Sequence, residues 1–263
     1  MKRSSRARIG AAATVSVLSL ALITGCGGGS DDDSKKSGAS KEAGASSSPS
    51  TTTAAKALSA AELKKMFLAK GDLAGYEVDT ADDGTLPKTK SEVKTDKAAC
   101  APLARSMAGL APGDTDASAS YTLTKKPTAT ASSDDASLED ALNVEIDFVG
   151  LSSYDGDGAQ KAVKAVSDAI AACSGGFTIT AEGEKQKITK VASAKASGKG
   201  DESVAFSVGS DMDGEGTATF NTEVVRVGNT VSTYYTVDFA SLESGKAAPV
   251  STAVIDAQLT KLK

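Results

Sequence analysis

The sequence has no histidine and no tryptophan, and aromatic residues make up 4% of its 263 positions. Without histidine, the Ser-His-Asp and Cys-His nucleophile systems are excluded, and most zinc sites go with them. With so few aromatics there is little for a sugar ring to stack on, which weighs against a glycosidase. Beyond residues 2–8, basic residues form no cluster in an acidic chain of net charge −5. Such a chain is a poor partner for nucleic acid. Long hydrophobic runs are also missing. The one apolar stretch, residues 9–23, would rise about 22 Å as a helix. A hydrocarbon core is about 30 Å thick, so this is no permanent membrane span.

What that stretch does carry is an address. Lys2, Arg3, Arg6 and Arg8 precede it, and Leu22-Ile23-Thr24-Gly25-Cys26 ends it. A cationic start, a short apolar run and small residues before a cysteine read as a bacterial lipobox. Cys26 is then the lipidation site and the new N-terminus. An ordinary cleaved signal with an incidental Cys26 is the alternative, but Ile23 at −3 and the glycine run after Cys26 favour the lipobox. Arg6 and Arg8 are not adjacent, so the general secretory route is expected. Two acyl chains on one cysteine suffice for stable anchoring, at roughly 0.8 kcal/mol per buried CH₂. Removing residues 1–25 takes away four basic residues and no acid, moving the formal charge from −5 to −9. The expected location is the extracytoplasmic face of the cell membrane, with the acidic domain standing off anionic lipid. The Ala, Gly, Asp and Thr bias fits a high-GC genome.

Three parts follow: a signal peptide at 1–25, a lipidated cysteine with a disordered linker at 26–57, and a single α+β domain at 58–263. The linker is rich in Gly, Ser, Thr, Asp and Lys and shows no apolar periodicity, so it cannot bury a core. Its Ser46–Thr53 tract is a bare tether or an O-glycosylated one. With Cys26 acylated, Cys100 and Cys173 remain, an even pair in an oxidising compartment, which is read as a disulfide. Free buried thiols are the alternative. Closing a loop of 73 residues would stabilise by about 4 kcal/mol at most.

Ser59-Ala-Ala-Glu62 is a capping box that opens a short helix. A second helix fits 96–110, shortened by Pro102, with Cys100, Leu103, Ala104 and Met107 on one face. Ser118–Thr124 reads as a strand, and residues 125–137 as a low-complexity loop. Leu142, Val144, Ile146 and Phe148 then alternate with Asn143, Glu145 and Asp147, the period of a strand with one wet face. Ala159 to Cys173 carries an unbroken helical stripe. Two hairpins follow, one turning at Glu182-Gly183 and one at Gly228-Asn229, with a strand through Val204, Phe206 and Val208 between them. The second turn pairs Val224 with Thr233 and Thr222 with Tyr235. A C-terminal amphipathic helix runs from Val250 to Leu262. The fold class is α+β, an antiparallel sheet with helices packed on one apolar face and one disulfide.

On the other, polar face stand Glu145, Asp147, Glu223, Tyr234 and Asp238. They form the candidate ligand or partner surface. The plain alternative is a solvated sheet face, and an acid–base carboxylate pair is the enzymatic one. Acidic glycine turns at Asp155–Gly158 and Asp211–Gly216 lack the full calcium-loop spacing. No cofactor and no metal site is expected.

The order of elements resembles a known family. A cysteine opens a helix at Ala99-Cys100-Ala-Pro-Leu, a helix closes on Ala172-Cys173, and Gly200-Asp-Glu-Ser203 leads into a strand. Val225-Arg-Val-Gly-Asn229 follows at a hairpin, and Gln258-Leu259 stand in the last helix. This is similar to the extracellular sensor domain of PknH-type serine/threonine kinases, which also occurs on stand-alone actinobacterial lipoproteins. The resemblance implies an α+β domain with a disulfide and a cleft that binds a signal molecule. No kinase domain is present, so signalling would need a separate partner. The expected function is therefore a non-enzymatic, lipid-anchored domain that binds a small ligand or an envelope protein. A lipid or glycolipid carrier of the envelope is the alternative, and it would need a large enclosed apolar cavity.

Overall fold

The computed structural model describes residues 56–80, 86–126, 144–213, 216–244 and 247–263, with side chains at 242–244 excepted. The expected signal peptide, Cys26, nearly all of the linker, Leu142 and the 127–137 part of the low-complexity segment lie outside these residues.

Among the described residues, nine strands form one antiparallel sheet in the order β1-β3-β4-β9-β8-β7-β6-β5-β2. They are β1 (Tyr76–Asp79), β2 (Val93–Thr95), β3 (Ser118–Lys125), β4 (Glu145–Ser153) and β5 (Phe177–Ala181). The remainder are β6 (Glu184–Ala194), β7 (Glu202–Asp211), β8 (Thr217–Val227) and β9 (Thr230–Asp238). The helices are α1 (Ala60–Lys64), α2 (Ala101–Met107), α3 (Gly158–Ala172), α4 (Phe239–Ser244) and α5 (Thr252–Lys261). No helix among the described residues is long and apolar enough to cross a membrane.

Local chemistry accounts for the element ends. Ser59 and Glu62 close the capping box, each side chain on the other's backbone N–H. Pro102 stands in the first turn of α2, where a missing N–H costs nothing. Gly228 has φ +59 in the two-residue β8–β9 turn, as such a hairpin demands. The register there runs from Val227 opposite Thr230 to Asn221 opposite Thr236, with Val224 opposite Thr233 and Thr222 opposite Tyr235. Gly200-Asp201-Glu202 braces this turn. The Asp201 carboxylate accepts from the Gly228 N–H at 2.7 Å and from Arg226 Nη1 at 3.2 Å.

The helices are not confined to one face, and this corrects the sequence reading. On one face, α2 and α3 cover Phe206, Val208, Val224 and Val231. On the other, α1 and α5 cover Tyr121, Val149, Leu151, Val225 and Tyr234. Neighbouring residues such as Val224 and Val225 therefore lie in different cores, each fully buried. A strand buried on both sides shows a continuous apolar run, and the middle of the sheet has such runs. Two further elements escaped the sequence reading. They are β2, just before the second expected helix, and α4, which begins at Phe239 directly after β9.

The expected disulfide is present. Cys100, in the 3-10 turn Ala98–Cys100, is joined to Cys173, the C-terminal cap of α3, with Cα atoms 5.9 Å apart. Both cysteines are fully buried. The bond ties the start of α2 to the end of α3 over the same face of the sheet.

Candidate functional site

The five acidic and aromatic residues expected on a wet face do lie on one face, but Asp147, Glu223 and Tyr234 are buried and Glu145 and Asp238 only partly exposed. Antiparallel pairing sets Glu145 opposite Asp238, Asp147 opposite Thr236, and Glu223 opposite Tyr234. α1 and α5 then cover much of this face. Asp147 and Tyr234 are each 1% exposed and Glu223 is 4% exposed. The expectation of a solvated face is overturned by this second helical layer.

Each residue has its own surroundings, and they do not converge on one point. Glu145 is paired with Lys125 at 2.9 Å and accepts from the Tyr76 hydroxyl at 3.1 Å. Asp238 caps α4, accepting from the Ala240 N–H at 3.0 Å and the Ser241 hydroxyl at 2.8 Å. Burial holds the Tyr234 phenol well above its usual range, and its oxygen has no hydrogen-bond partner. Glu223 Oε1 accepts from the Ser197 N–H at 2.9 Å and the Ser197 hydroxyl at 2.5 Å. Ser197 belongs to the loop between β6 and β7 and has no sequence signal.

Asp147 is the most perturbed carboxyl among the described residues. Oδ1 accepts from the Thr236 hydroxyl at 2.6 Å, while Oδ2 has no partner. Burial pushes its pKa up to about 7, and the nearby Glu145 charge adds to the shift. The folded state thus holds the Asp147 proton more tightly than the unfolded chain, where a carboxyl of this type titrates near 4. Stability linked to Asp147 is full below that ordinary value and is lost as pH rises from about 4 through about 7. Asp147→Asn should remove this component. Urea midpoints of the wild type and the variant, compared at pH 4.5 and pH 8, check it. A wild-type-minus-variant difference that does not change with pH contradicts the assignment.

The other face carries a cleft. α2 and α3 cover only part of it, and beyond Met107 the floor is open. Val93, Ala104, Met107, Ile179 and Tyr235 line an apolar recess of about 170 Å³, with Gln186 as a polar side chain. The disulfide-held α2 forms one wall. Tyr235 continues the surface into an aromatic row, with Phe148 and Phe220 at centroid distances of 5.8 and 5.7 Å. Ile179, Ala181 and Gln186 are shared with a wider trough of about 590 Å³ beside Lys185, Ser210 and Asp211. Gln186 Nε2 donates to the Ser210 hydroxyl at 3.0 Å. Burial raises the Tyr235 phenol well above its ordinary range, so it stays neutral. The sequence reading missed this cleft. Tyr235 carries no distinguishing signal in the hairpin strand, and β2, which contributes Val93, is three residues long.

No protein-family model matches the sequence, and no curated protein matches it. Among solved structures, the chain is similar to the extracellular domain of PknH from Mycobacterium tuberculosis. The identity is 10% and the TM-score 0.43, over 79% of this chain and 96% of that one.

The described residues hold no group of three or more His, Cys, Asp or Glu side chains placed to share a metal ion. The recess can enclose a small apolar group, and the trough beside it can accommodate a polar extension.

Proposed function

We propose that this chain is a lipid-anchored, extracytoplasmic, non-enzymatic binding protein, and that its cleft beside α2 takes up a small ligand with an apolar end. The observation that carries the reading is the apolar recess lined by Met107, Ile179 and Tyr235. Its walls come from the sheet and from a helix tied down by a disulfide. A largely pre-formed apolar pocket with few polar groups is the usual form of a small-molecule site. Size argues against the carrier reading. At about 170 Å³ the recess is close to the roughly 150 Å³ that houses a benzene-sized guest. Acyl chains of a membrane lipid would need far more enclosed volume. The ligand is therefore a compact molecule, or a larger one that inserts only its apolar end. An envelope protein offering one such side chain would use the same recess. No role with nucleic acid is proposed.

Two measurements test the two halves. Cys26→Ala should release the protein into the medium or leave it unprocessed, because lipidation needs the thiol. A mutant that stays in the membrane fraction at mature size refutes the anchor. Ala181→Phe places a ring into the recess from β5. Native mass spectrometry of protein purified from its own envelope should show a bound small molecule on the wild type and none on the variant. Equal loading of the two proteins would mean that the ligand, if any, sits elsewhere.

A further inference from the structure

On the face opposite the cleft, a second cavity of about 470 Å³ opens between the β6–β7 loop, the sheet and the start of α5. Glu223 forms part of its wall and is 4% exposed. A carboxylate so far removed from water needs a counter-charge or a full set of donors. Glu223 has neither. Oε1 receives both donors of Ser197. Among the described residues, Oε2 has no hydrogen bond and no lysine or arginine pairs with Glu223. Glu223 is among the residues that line the cavity.

The two lysines at the mouth do not supply the missing charge. Lys199 is engaged by Asp256 at 2.9 Å. Lys195 is exposed to solvent, where salt screens its charge over about 8–10 Å. The remaining chemistry of the wall is that of an acceptor site on an aliphatic floor. Asn221 Nδ2 is spent on the Ala248 carbonyl at 2.8 Å, which leaves Oδ1 as an acceptor. Thr252 lines the same space, and Ala194, Ala205 and Val250 give it an apolar side.

We infer that this cavity binds a small ligand bearing a primary ammonium group on a short aliphatic body, with Glu223 Oε2 as its counter-ion. An ammonium has three donors and no acceptor. Glu223 Oε2, Asn221 Oδ1 and the Thr252 hydroxyl are a matching number of acceptors. A bare divalent cation fits less well. Calcium takes six to eight oxygen ligands, and a single carboxylate is available here. This site is separate from the cleft beside α2, and neither reading depends on the other.

The test uses the full chain, n-butylammonium as probe and 1-butanol as its neutral control, followed by amide chemical shifts at Ser197 and Glu223. Saturable shifts are expected with n-butylammonium, and binding of 1-butanol at least tenfold weaker. Glu223→Gln should weaken n-butylammonium at least tenfold. Should that variant fail to fold, Thr252→Lys serves instead, because Thr252 is exposed and the new ammonium is tethered at the mouth. It should exclude the probe to the same degree while the remaining amide spectrum stays in place. Absence of saturable shifts, equal binding of 1-butanol, or unchanged binding by a folded variant would overturn the assignment.

Discussion

Removing the Cys100–Cys173 bond, by reduction or by the Cys100→Ser and Cys173→Ser pair, should lower the unfolding free energy by about 2–4 kcal/mol. Both cysteines are fully buried and lie 73 residues apart. The bond therefore restrains a long loop in the unfolded chain. The α3 helix it holds adds only modest apolar area of its own. Among the buried residues of α3, Ala159, Ala162 and Ala169 match Val163, Val166 and Ile170 in number, and small side chains bury little area each. The fold should survive, since the nine-stranded ladder does not depend on the bond. What should loosen is α2, which the bond holds at its first turn. Urea unfolding with and without reductant measures the effect. Identical midpoints, or two reactive thiols in denatured, unreduced protein that was exported oxidatively, would contradict it.

Gly150→Ala should cost at least as much, about 2–3 kcal/mol or more. Gly150 lies mid-strand in β4, on the face under α2. A Cβ there would stand 2.2 Å from the Gly109 carbonyl oxygen and 2.6 Å from the Thr233 hydroxyl oxygen. Backbone cannot swing aside as a side-chain tip can. Gly109 itself has φ +68 where the chain leaves α2, so that turn has little freedom to yield. The added methyl has to lift the end of α2, and Met107 and Ala108 of the cleft wall move with it. Lower stability and weaker ligand retention should thus appear together. Gly175→Ala is the control, since nothing lies within 4 Å of its Cβ position and its φ is unstrained. Its midpoint should stay close to wild type. A Gly150→Ala midpoint equal to that of Gly175→Ala would show that the close approach of Gly109 carries no cost.

The elements of this fold were legible where one physical signal dominated. The α3 stripe, the Ser59–Glu62 capping box and the Gly228 turn each rest on local chemistry, and each stands where the residues put it. The alternation of Ile146 and Phe148 with Glu145 and Asp147 located β4 and its pleat. It did not say which side meets water, because that depends on α1 and α5, which come from the two ends of the domain. Period-2 patterning reports two faces but does not label them. The continuous runs Val224-Val225 and Tyr234-Tyr235 were the trace of two-sided burial. β2 was unreadable for a related reason. Three residues, with Val93 alone buried, are too few to show a period. The candidate site suffered most, since the cleft is built from what packing leaves uncovered. No residue of it is unusual by itself, and Ser197, which holds Glu223, comes from a loop with no pattern.

The sheet has two distinct ends, and they are used differently. The described chain enters at one of them. The Lys56 carbonyl accepts from Asn229 Nδ2 at 2.9 Å, the Ala57 N–H donates to Asp155 at 2.8 Å, and the Leu58 N–H to the Ser153 hydroxyl at 3.0 Å. Ser153 is the last residue of β4, and Asn229 turns β8 into β9. The β5–β6 turn, beside Ala181 and the mouth of the cleft, lies at the opposite end. β4 runs nine residues between the ends, about 30 Å at strand rise. A tether that pulls on Lys56 therefore loads the end remote from the cleft. A load arriving through Lys56 would meet the Asn229 clamp first.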